Sequence, residues 1–250
     1  MIFKFPEGEE AETALRREAR LLQAVAPRVS LPVPRMTLHD GPPLFSRHDK
    51  LPGVTLERAA YDALTQAQRD GLAGDLARFF ADLHAIEPQA MRAAGAEPVG
   101  WWDTHDETLA PVWERLPRSI AEEGRKAIAA YRNLPPDPLG ERYGFFDAHG
   151  WNMAFDVRAG RLNGIFDFAD SGFGPVHREF APVSLVAPDL AARTARAYAA
   201  ASGREVSLRR IFLLTAAMRL SEYAGALETG VGAEWVRDLV VEWFEQRDVR

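Results

Sequence analysis

The chain reads as an α+β protein in two lobes: a small mixed N-terminal lobe, and a mostly helical C-terminal lobe with an inserted β-hairpin. Three observations carry this reading. Residues 1–52 alternate short β-prone runs with one amphipathic helical stretch. Residues 53–250 show helical spacing over most of their length. The exception is Tyr143–Phe168, where apolar runs rich in aromatic and branched residues are separated by a polar loop and a turn, the pattern of consecutive strands.

Ile2–Phe5 opens as a strand and is cut by Pro6-Glu7-Gly8. From about Glu10 to Ala26, Ala11, Ala14, Leu15, Leu22 and Val25 recur at helical spacing. Glu18 falls on that same stripe, where a carboxylate is costly unless paired; Lys4 on the preceding strand is the candidate partner, although the residues alone favour a solvated Lys4 and a Glu18 at the stripe's edge. Leu31-Pro-Val-Pro34 is an extended connector, since its prolines bias the backbone away from helix. Met36–His39 and Leu44–Arg47 are expected strands around Gly41-Pro-Pro43, and Leu51-Pro52-Gly53 ends the first lobe.

In the second lobe, Leu72, Leu76, Phe79, Phe80, Leu83 and Ile86 form one face of a helix from Thr65 to about Ile86, with His84 near its end as a structural histidine. Gln89–Val99 reads as a loop or broken helix. A helical region then runs from Trp101 to about Tyr131, where the paired Trp101 and Trp102 either pack in the core, the better reading, or floor a sugar site. After Tyr143–Phe168, helices are expected over Leu190–Ala201, from the Ser207 cap to about Leu227, and over Ala233–Gln246.

The hairpin region carries the chemistry. Runs at Tyr143–Phe146, Met153–Val157 and Leu162–Phe168 would bring Asp147, Asn152 and Asp167 to one end. Two carboxylates and a carboxamide are hard oxygen ligands, suited to Mg²⁺ rather than zinc. Asp170 reads as a turn residue, with a third ligand as the alternative.

The spacing Asp147-x-His149-x-x-Asn152, followed by Ile165-Phe166-Asp167-Phe168 and a Gly172-x-Gly174 turn, resembles the aminoglycoside phosphotransferase family, whose fold is protein-kinase-like. Phe145, Gly150, Trp151, Ala169 and Pro175 depart from the family pattern. The resemblance implies that Asp147 is the catalytic aspartate and that Asn152 and Asp167 hold Mg²⁺. It implies that Lys4, held by Glu18, grips the phosphates of ATP or GTP, and that His149 touches phosphate or braces the loop. It also implies a lobe of residues 1–52 that binds nucleotide, with Arg47–Leu51 as the hinge against the base, and a lobe of residues 53–250 bearing the catalytic loop, metal and substrate sites. In the family two strands and a nucleotide-covering loop precede the lysine strand. With the lysine at position 4, the first lobe is expected to be truncated, and a late start of the given chain is the simpler account, because a sheet beginning at this strand exposes an apolar edge.

The implied activity is Mg²⁺-dependent transfer of the nucleotide γ-phosphate to a hydroxyl of an aminoglycoside or other small polar acceptor, with antibiotic resistance among the roles it suggests. Glu222, Glu228 and Glu234 are candidates for contact with a polycation, and exposure on helices explains them equally well; Glu179 reads as structural. The alternatives are a catalytically weak or inactive kinase-fold binding protein and, less favoured, a phosphohydrolase using Asp147 as nucleophile.

Composition bounds the rest. At 250 residues, 47% hydrophobic and 26% charged, the chain is an ordinary globular protein able to bury a large core. A net charge of −6 argues against nucleic acid as partner. The absence of cysteine excludes disulfides and thiolate chemistry. No apolar run is long enough to span a bilayer and the first residues lack a signal-peptide pattern, so a cytoplasmic, membrane-free protein is expected. The sequence leaves oligomeric state open.

Overall fold

The period of the apolar residues decides the elements, and in the computed structural model, which describes residues 1–246, most of them fall where that period put them. Strand β1 (Ile2–Lys4) pairs antiparallel with β3 (Phe45–His48), which pairs with β2 (Thr37–His39), giving the order β1-β3-β2. Register sets Lys4 opposite Ser46, so alternation turns Ile2 and Lys4 to one face and Phe3 and Phe5 to the other. Helix α1 (Glu9–Val25) buries Leu15, Leu21, Leu22 and Val25, and Glu18 with them.

The chain packs as two compact units, residues 1–99 with 137–206, and residues 100–136 with those from 207 on. The expected boundary at 52/53 falls inside the first unit, after the three-stranded sheet and α1; it stands as our proposed limit of the nucleotide-facing part.

In the first unit, α2 (Arg58–Asp62) is a short helix the spacing did not announce. Helix α3 (Gln66–Ala85) starts at Thr65, whose side chain accepts the Gln68 N–H while the Gln68 side chain accepts the Thr65 N–H, a capping box. Helix α4 (Pro88–Ala93) occupies part of the expected broken stretch. Helix α7 (Pro188–Ser202) packs along α3 and ends at Gly203, φ 70°.

The strands of the hairpin region differ from expectation. Strand β4 (Glu141–Gly144) stops before Phe145 and pairs with β7 (Gly172–Pro175), where a turn was expected. Strands β5 (Met153–Asp156) and β6 (Arg161–Ile165) form the hairpin proper, and β6 ends three residues short of Phe168. The reason is the same at both ends: Phe146 and Asp167 adopt left-handed backbone, φ 59° and 70°, which no strand continues through. The segment after Pro52 lies on this hairpin, with Val54 and Phe155 exchanging both backbone hydrogen bonds at 3.0 and 2.7 Å. Gly53, φ 132°, is required there, since a Cβ would stand 2.7 Å from the Phe155 carbonyl oxygen.

The second unit holds α5 (Asp106–Arg115), α6 (Arg118–Arg132), α8 (Leu208–Thr229) and α9 (Ala233–Gln246) around Leu109, Val112, Ile128, Leu213, Leu220, Val240 and Phe244. The single helical region expected up to Tyr131 is two helices, broken at Leu116-Pro117. Trp102 packs against this core, while Trp101 is exposed. Glu222, Glu228 and Glu234 are exposed on α8 and α9. No helix among the described residues is long and apolar enough to cross a membrane.

Candidate active site

The register Met153↔Ile165 puts Asn152 and Asp167 just outside the same end of the β5–β6 hairpin, and the Phe166 N–H donates to the Asn152 carbonyl at 3.0 Å. Asp147 reaches this end from the loop after β4. Asn152 Nδ2 donates to Asp147 Oδ2 at 2.6 Å and to the Asp147 carbonyl at 3.1 Å. His149 Nε2 lies 3.2 Å from Asp147 Oδ1 and 3.3 Å from Asn152 Nδ2. His149 Nε2 thus hydrogen-bonds the Asn152 carboxamide and stands against the second oxygen of Asp147. His149 Nδ1 is buried with no hydrogen-bond partner. The histidine is seated against the loop that carries Asp147 and Asn152.

Lys4 stands on the other side. Its Nζ donates to both Glu18 oxygens at 2.9 Å and to Asp167 Oδ1 at 3.0 Å. Burial pulls the Lys4 ammonium down, but the charge and hydrogen bonds of Glu18, then those of Asp167, outweigh it and hold its pKa above the ordinary 10.5. The expected Lys4–Glu18 pairing is thus present, with the Glu18 side chain only 4% exposed. Glu18 Oε1 also accepts the Phe168 N–H at 3.2 Å, and the preceding α1 residue, Arg17, donates to the Ala169 carbonyl at 2.9 Å. Two successive residues of α1 thereby grip the backbone just past Asp167. Sequence reasoning missed Arg17, which lies off the apolar stripe and carries no local signal.

Glu179 forms a second anchor. It is fully buried and accepts the Phe145 N–H at 3.1 and 3.2 Å and the Phe146 N–H at 2.7 Å, immediately before Asp147. His84 Nε2 lies 3.3 Å from its other oxygen and His84 Nδ1 2.9 Å from the Tyr198 hydroxyl. Beneath the site the rings of Phe145 and Phe168 pack 4.8 Å apart, each against Phe79 of α3. The segments carrying Asp147 and Asp167 thus share one aromatic seat.

The field is negative. Burial, then the charges of Asp147 and Asp167, push the Asp170 carboxyl above the ordinary carboxylate range, with Arg17 opposing. Among the described residues no cluster of three His, Cys, Asp or Glu is arranged for a metal. The donors present are hard all the same: the half-exposed Asp167 carboxylate, and the Asn152 carboxamide oxygen, left over because Nδ2 is engaged by Asp147. This set fits Mg²⁺, which keeps several waters and is completed by substrate phosphates.

A cavity of about 300 Å³ opens beside Lys4, Glu18 and Asp167. Its far wall is His48, Lys50 and Leu51, from the expected hinge, with Val54, Met153 and Phe166. That volume lies at the low end of small-molecule sites.

The sequence profile of the phosphotransferase enzyme family APH matches residues 1–213. No curated protein matches the chain. Among solved structures, the chain is similar to the GDP complex of wild-type aminoglycoside 2'-phosphotransferase-IIIa, at 19% identity and a TM-score of 0.77, over 98% of this chain and 86% of that one. It is also similar to the apoenzyme of macrolide 2'-phosphotransferase MphH from Brachybacterium faecium, at 20% identity and 0.67, over 95% and 82%. A streptomycin–ATP ternary complex of APH(2")-IIa is similar at 18% identity and 0.61, over 97% and 84%. At these identities the likeness is one of fold.

Proposed function

The chain belongs to the APH phosphotransferase enzyme family, and we propose that it is a Mg²⁺-dependent O-phosphotransferase moving the γ-phosphate of ATP or GTP to a hydroxyl of a small polar acceptor. The observation that carries this is the carboxylate of Asp147, held through Oδ2 by Asn152 with His149 Nε2 3.2 Å from Oδ1, at the same hairpin end as the Lys4–Asp167 ion pair.

Phosphoryl transfer asks for position and charge neutralisation more than for covalent work. Asp147 orients the acceptor hydroxyl and takes its proton as the new O–P bond forms and the bond to the leaving nucleoside diphosphate breaks. The Asn152 clamp keeps that carboxylate aimed, and its remaining lone pairs stay open to the acceptor. Lys4 neutralises phosphate charge, and Glu18 keeps its ammonium in place. Asn152 Oδ1 and Asp167 would hold Mg²⁺, which when bound neutralises charge on the phosphate oxygens. The cavity against His48, Lys50 and Leu51 takes the base, mainly through backbone, and the negative field around Asp147, Asp167 and Asp170 suits a cationic acceptor. Aminoglycosides and macrolides, named with the similar structures, are the acceptors to screen first. The reaction we assign to the cytoplasm, where nucleoside triphosphates and Mg²⁺ are held.

The test is Asp147→Asn in a coupled assay of nucleoside diphosphate release. Loss of the base should slow transfer about 100- to 10,000-fold, while calorimetry finds nucleotide still bound. Transfer at the parent rate removes the assignment. Nucleotide binding with no transfer by the parent chain favours the inactive binding protein.

A further inference from the structure

Asp167 stands immediately before a β-turn, Phe168–Ser171, and that turn is bonded from two sides. The Ser171 N–H closes it on the Phe168 carbonyl at 3.2 Å. The Ser171 hydroxyl accepts from the Tyr143 hydroxyl at 2.9 Å and donates to the same carbonyl at 2.7 Å. From the other side come two successive residues of α1. Glu18 accepts the Phe168 N–H at 3.2 Å, and Arg17 Nη2 donates to the Ala169 carbonyl at 2.9 Å. Arg17 Nη1 reaches away from the turn to Glu97 at 2.9 Å, a carboxylate 71% exposed. Ala169, whose carbonyl Arg17 takes, is one of the departures from the family pattern, standing where that pattern has glycine.

Resting on the phosphotransferase reading above, we propose that Arg17 is a positioning residue for the metal: by pinning the Ala169 carbonyl it holds the Asp167 carboxylate ready for Mg²⁺. Asp167 lies at φ 70°, a conformation that a freed chain leaves for the extended or right-handed region. On its N-terminal side the Phe166 N–H is fixed to the Asn152 carbonyl. On its C-terminal side Glu18 fixes the peptide that follows it, and Arg17 fixes the turn beyond. Alanine at 169 acts in the same sense, since a residue with a Cβ has fewer backbone conformations than glycine. A ligand held in this way needs little further ordering when the ion arrives. Charge alone predicts the opposite effect. Arg17 is a cation that opposes Asp147 and Asp167 in the field at Asp170. Acting only as a charge it repels Mg²⁺, and its removal tightens metal binding. Acting by position, its removal weakens metal binding. The sign of the change separates the two roles.

The experiment titrates the imido analogues of ATP and GTP into the full chain by calorimetry over a series of Mg²⁺ concentrations. It uses the parent, Arg17→Met, Arg17→Lys, Glu97→Gln and Asp167→Asn, with melts of each in the absence of metal and nucleotide. Groups that orient a metal ligand carry about 10- to 100-fold of the metal affinity, so Arg17→Met should need about that much more Mg²⁺ for half-maximal binding. Arg17→Lys, which keeps the charge and one donor for Ala169, should recover part of the loss, and it carries the test if Arg17→Met melts early. Glu97→Gln weakens only the exposed partner of Arg17, so it should bind like the parent. An Arg17→Met that needs the parent's Mg²⁺ concentration, or less, overturns the proposal, as does a Glu97→Gln defect equal to that of Arg17→Met. If the parent still shows a Mg²⁺ requirement that Asp167→Asn abolishes, the phosphotransferase reading survives that failure. Nucleotide binding by the parent with no Mg²⁺ requirement overturns both.

Discussion

Replacing Glu179 should damage the site without touching any atom that meets a substrate. The carboxylate is fully buried and accepts two backbone N–H groups, from Phe145 and Phe146, with His84 on its other side. In Glu179→Ala both N–H groups lose their acceptor in a place water does not reach. Hydrogen bonds to a charged group are worth about 1.5–3 kcal/mol each, and an orphaned buried donor costs about 1–3 kcal/mol. Allowing for relaxation, the substitution should cost about 3–5 kcal/mol, of a total near 5–15 kcal/mol. For a chain of this size that lowers Tm by about 6–20 °C. Glu179→Gln should lose far less. Its oxygen can keep the two N–H groups, and its amide can donate to His84 Nε2 once that ring protonates on Nδ1 toward Tyr198. Urea melts of both variants measure the difference, and kcat measured below the melting range reports the aim of Asp147, which follows Phe146 directly. An Ala variant within about 1 kcal/mol of the parent, or one less damaged than Gln, would refute the reasoning.

Lys4→Met should weaken nucleotide binding by calorimetry and destabilise the fold by about 1–3 kcal/mol, because Glu18 stays buried with only the Phe168 N–H to meet it; undiminished nucleotide affinity would remove Lys4 from the phosphate site. The folded pKa of Lys4 lies above 10.5, so its contribution to stability is complete below that value and is lost only as pH climbs through the folded pKa. Any activity change between pH 6 and 9 (about the working range of enzymes,) therefore belongs to another group. Asp170 has the opposite sense: its folded pKa is raised, so its favourable contribution exists only below its unfolded value, about 3.9, and fades as pH rises through the folded one. Asp170→Asn should thus raise Tm at neutral pH, with the gain vanishing in acid; a lower Tm at neutral pH would contradict the repulsion. Gly150→Ala sets a Cβ 1.9 Å from the Leu56 carbonyl oxygen, which is backbone and cannot swing away. The loop bearing Asp147 and Asn152 must shift, at a cost of about 1–3 kcal/mol, and kcat should fall more than nucleotide affinity; a parent-like kcat would show that the loop tolerates the displacement.

Helices were legible because burying one face imposes a period on the residues themselves. The α1 stripe, the Leu72–Leu83 face of α3 and the Ser207-to-Gly230 span all lie where spacing and caps put them. Strand ends were not. Phe145-Phe146 and Phe166-Asp167-Phe168 look like continuing strands, since apolarity is all a local reading has. What stops β4 and β6 is the left-handed backbone at Phe146 and Asp167, held by groups remote in sequence: Glu179 takes the Phe145 and Phe146 N–H, and Glu18 that of Phe168. Strand β7 was hidden for the related reason that Gly172-x-Gly174 is poor strand sequence. A Cβ at Gly172 would meet the Glu97 carbonyl at 2.3 Å and one at Gly174 the Val99 side chain at 2.7 Å, so close packing, not strand propensity, selects glycine there.

At the site, type and spacing put Asp147, Asn152 and Asp167 at one hairpin end, and of the groups that hold this end Glu18 and Glu179 were marked in the sequence while Arg17 and the backbone donors they grip were not. The two left-handed residues, Phe146 and Asp167, each store about 1–3 kcal/mol of backbone strain. Each is secured by the same device. A buried carboxylate takes the adjoining backbone N–H on one side and a basic group on the other: Glu179 with His84 beside Phe146, and Glu18 with Lys4 beside Asp167. Neither carboxylate is near its target in sequence, so no local motif announces them. Glu18 stood out because a charge on an apolar stripe is out of place, and Glu179 was read as structural without the backbone groups it takes being legible. The strain is tolerable because each anchor is itself fully engaged, and it accompanies Asp147 and Asp167 to the same end of a single hairpin. A loop free to relax would let Phe146 return to the extended region and swing the Asp147 carboxylate away from Asn152. The rigidity that our proposed phosphoryl transfer requires of Asp147 is therefore supplied from α1, α3 and the segment after β7, and the loop after β4 only displays it.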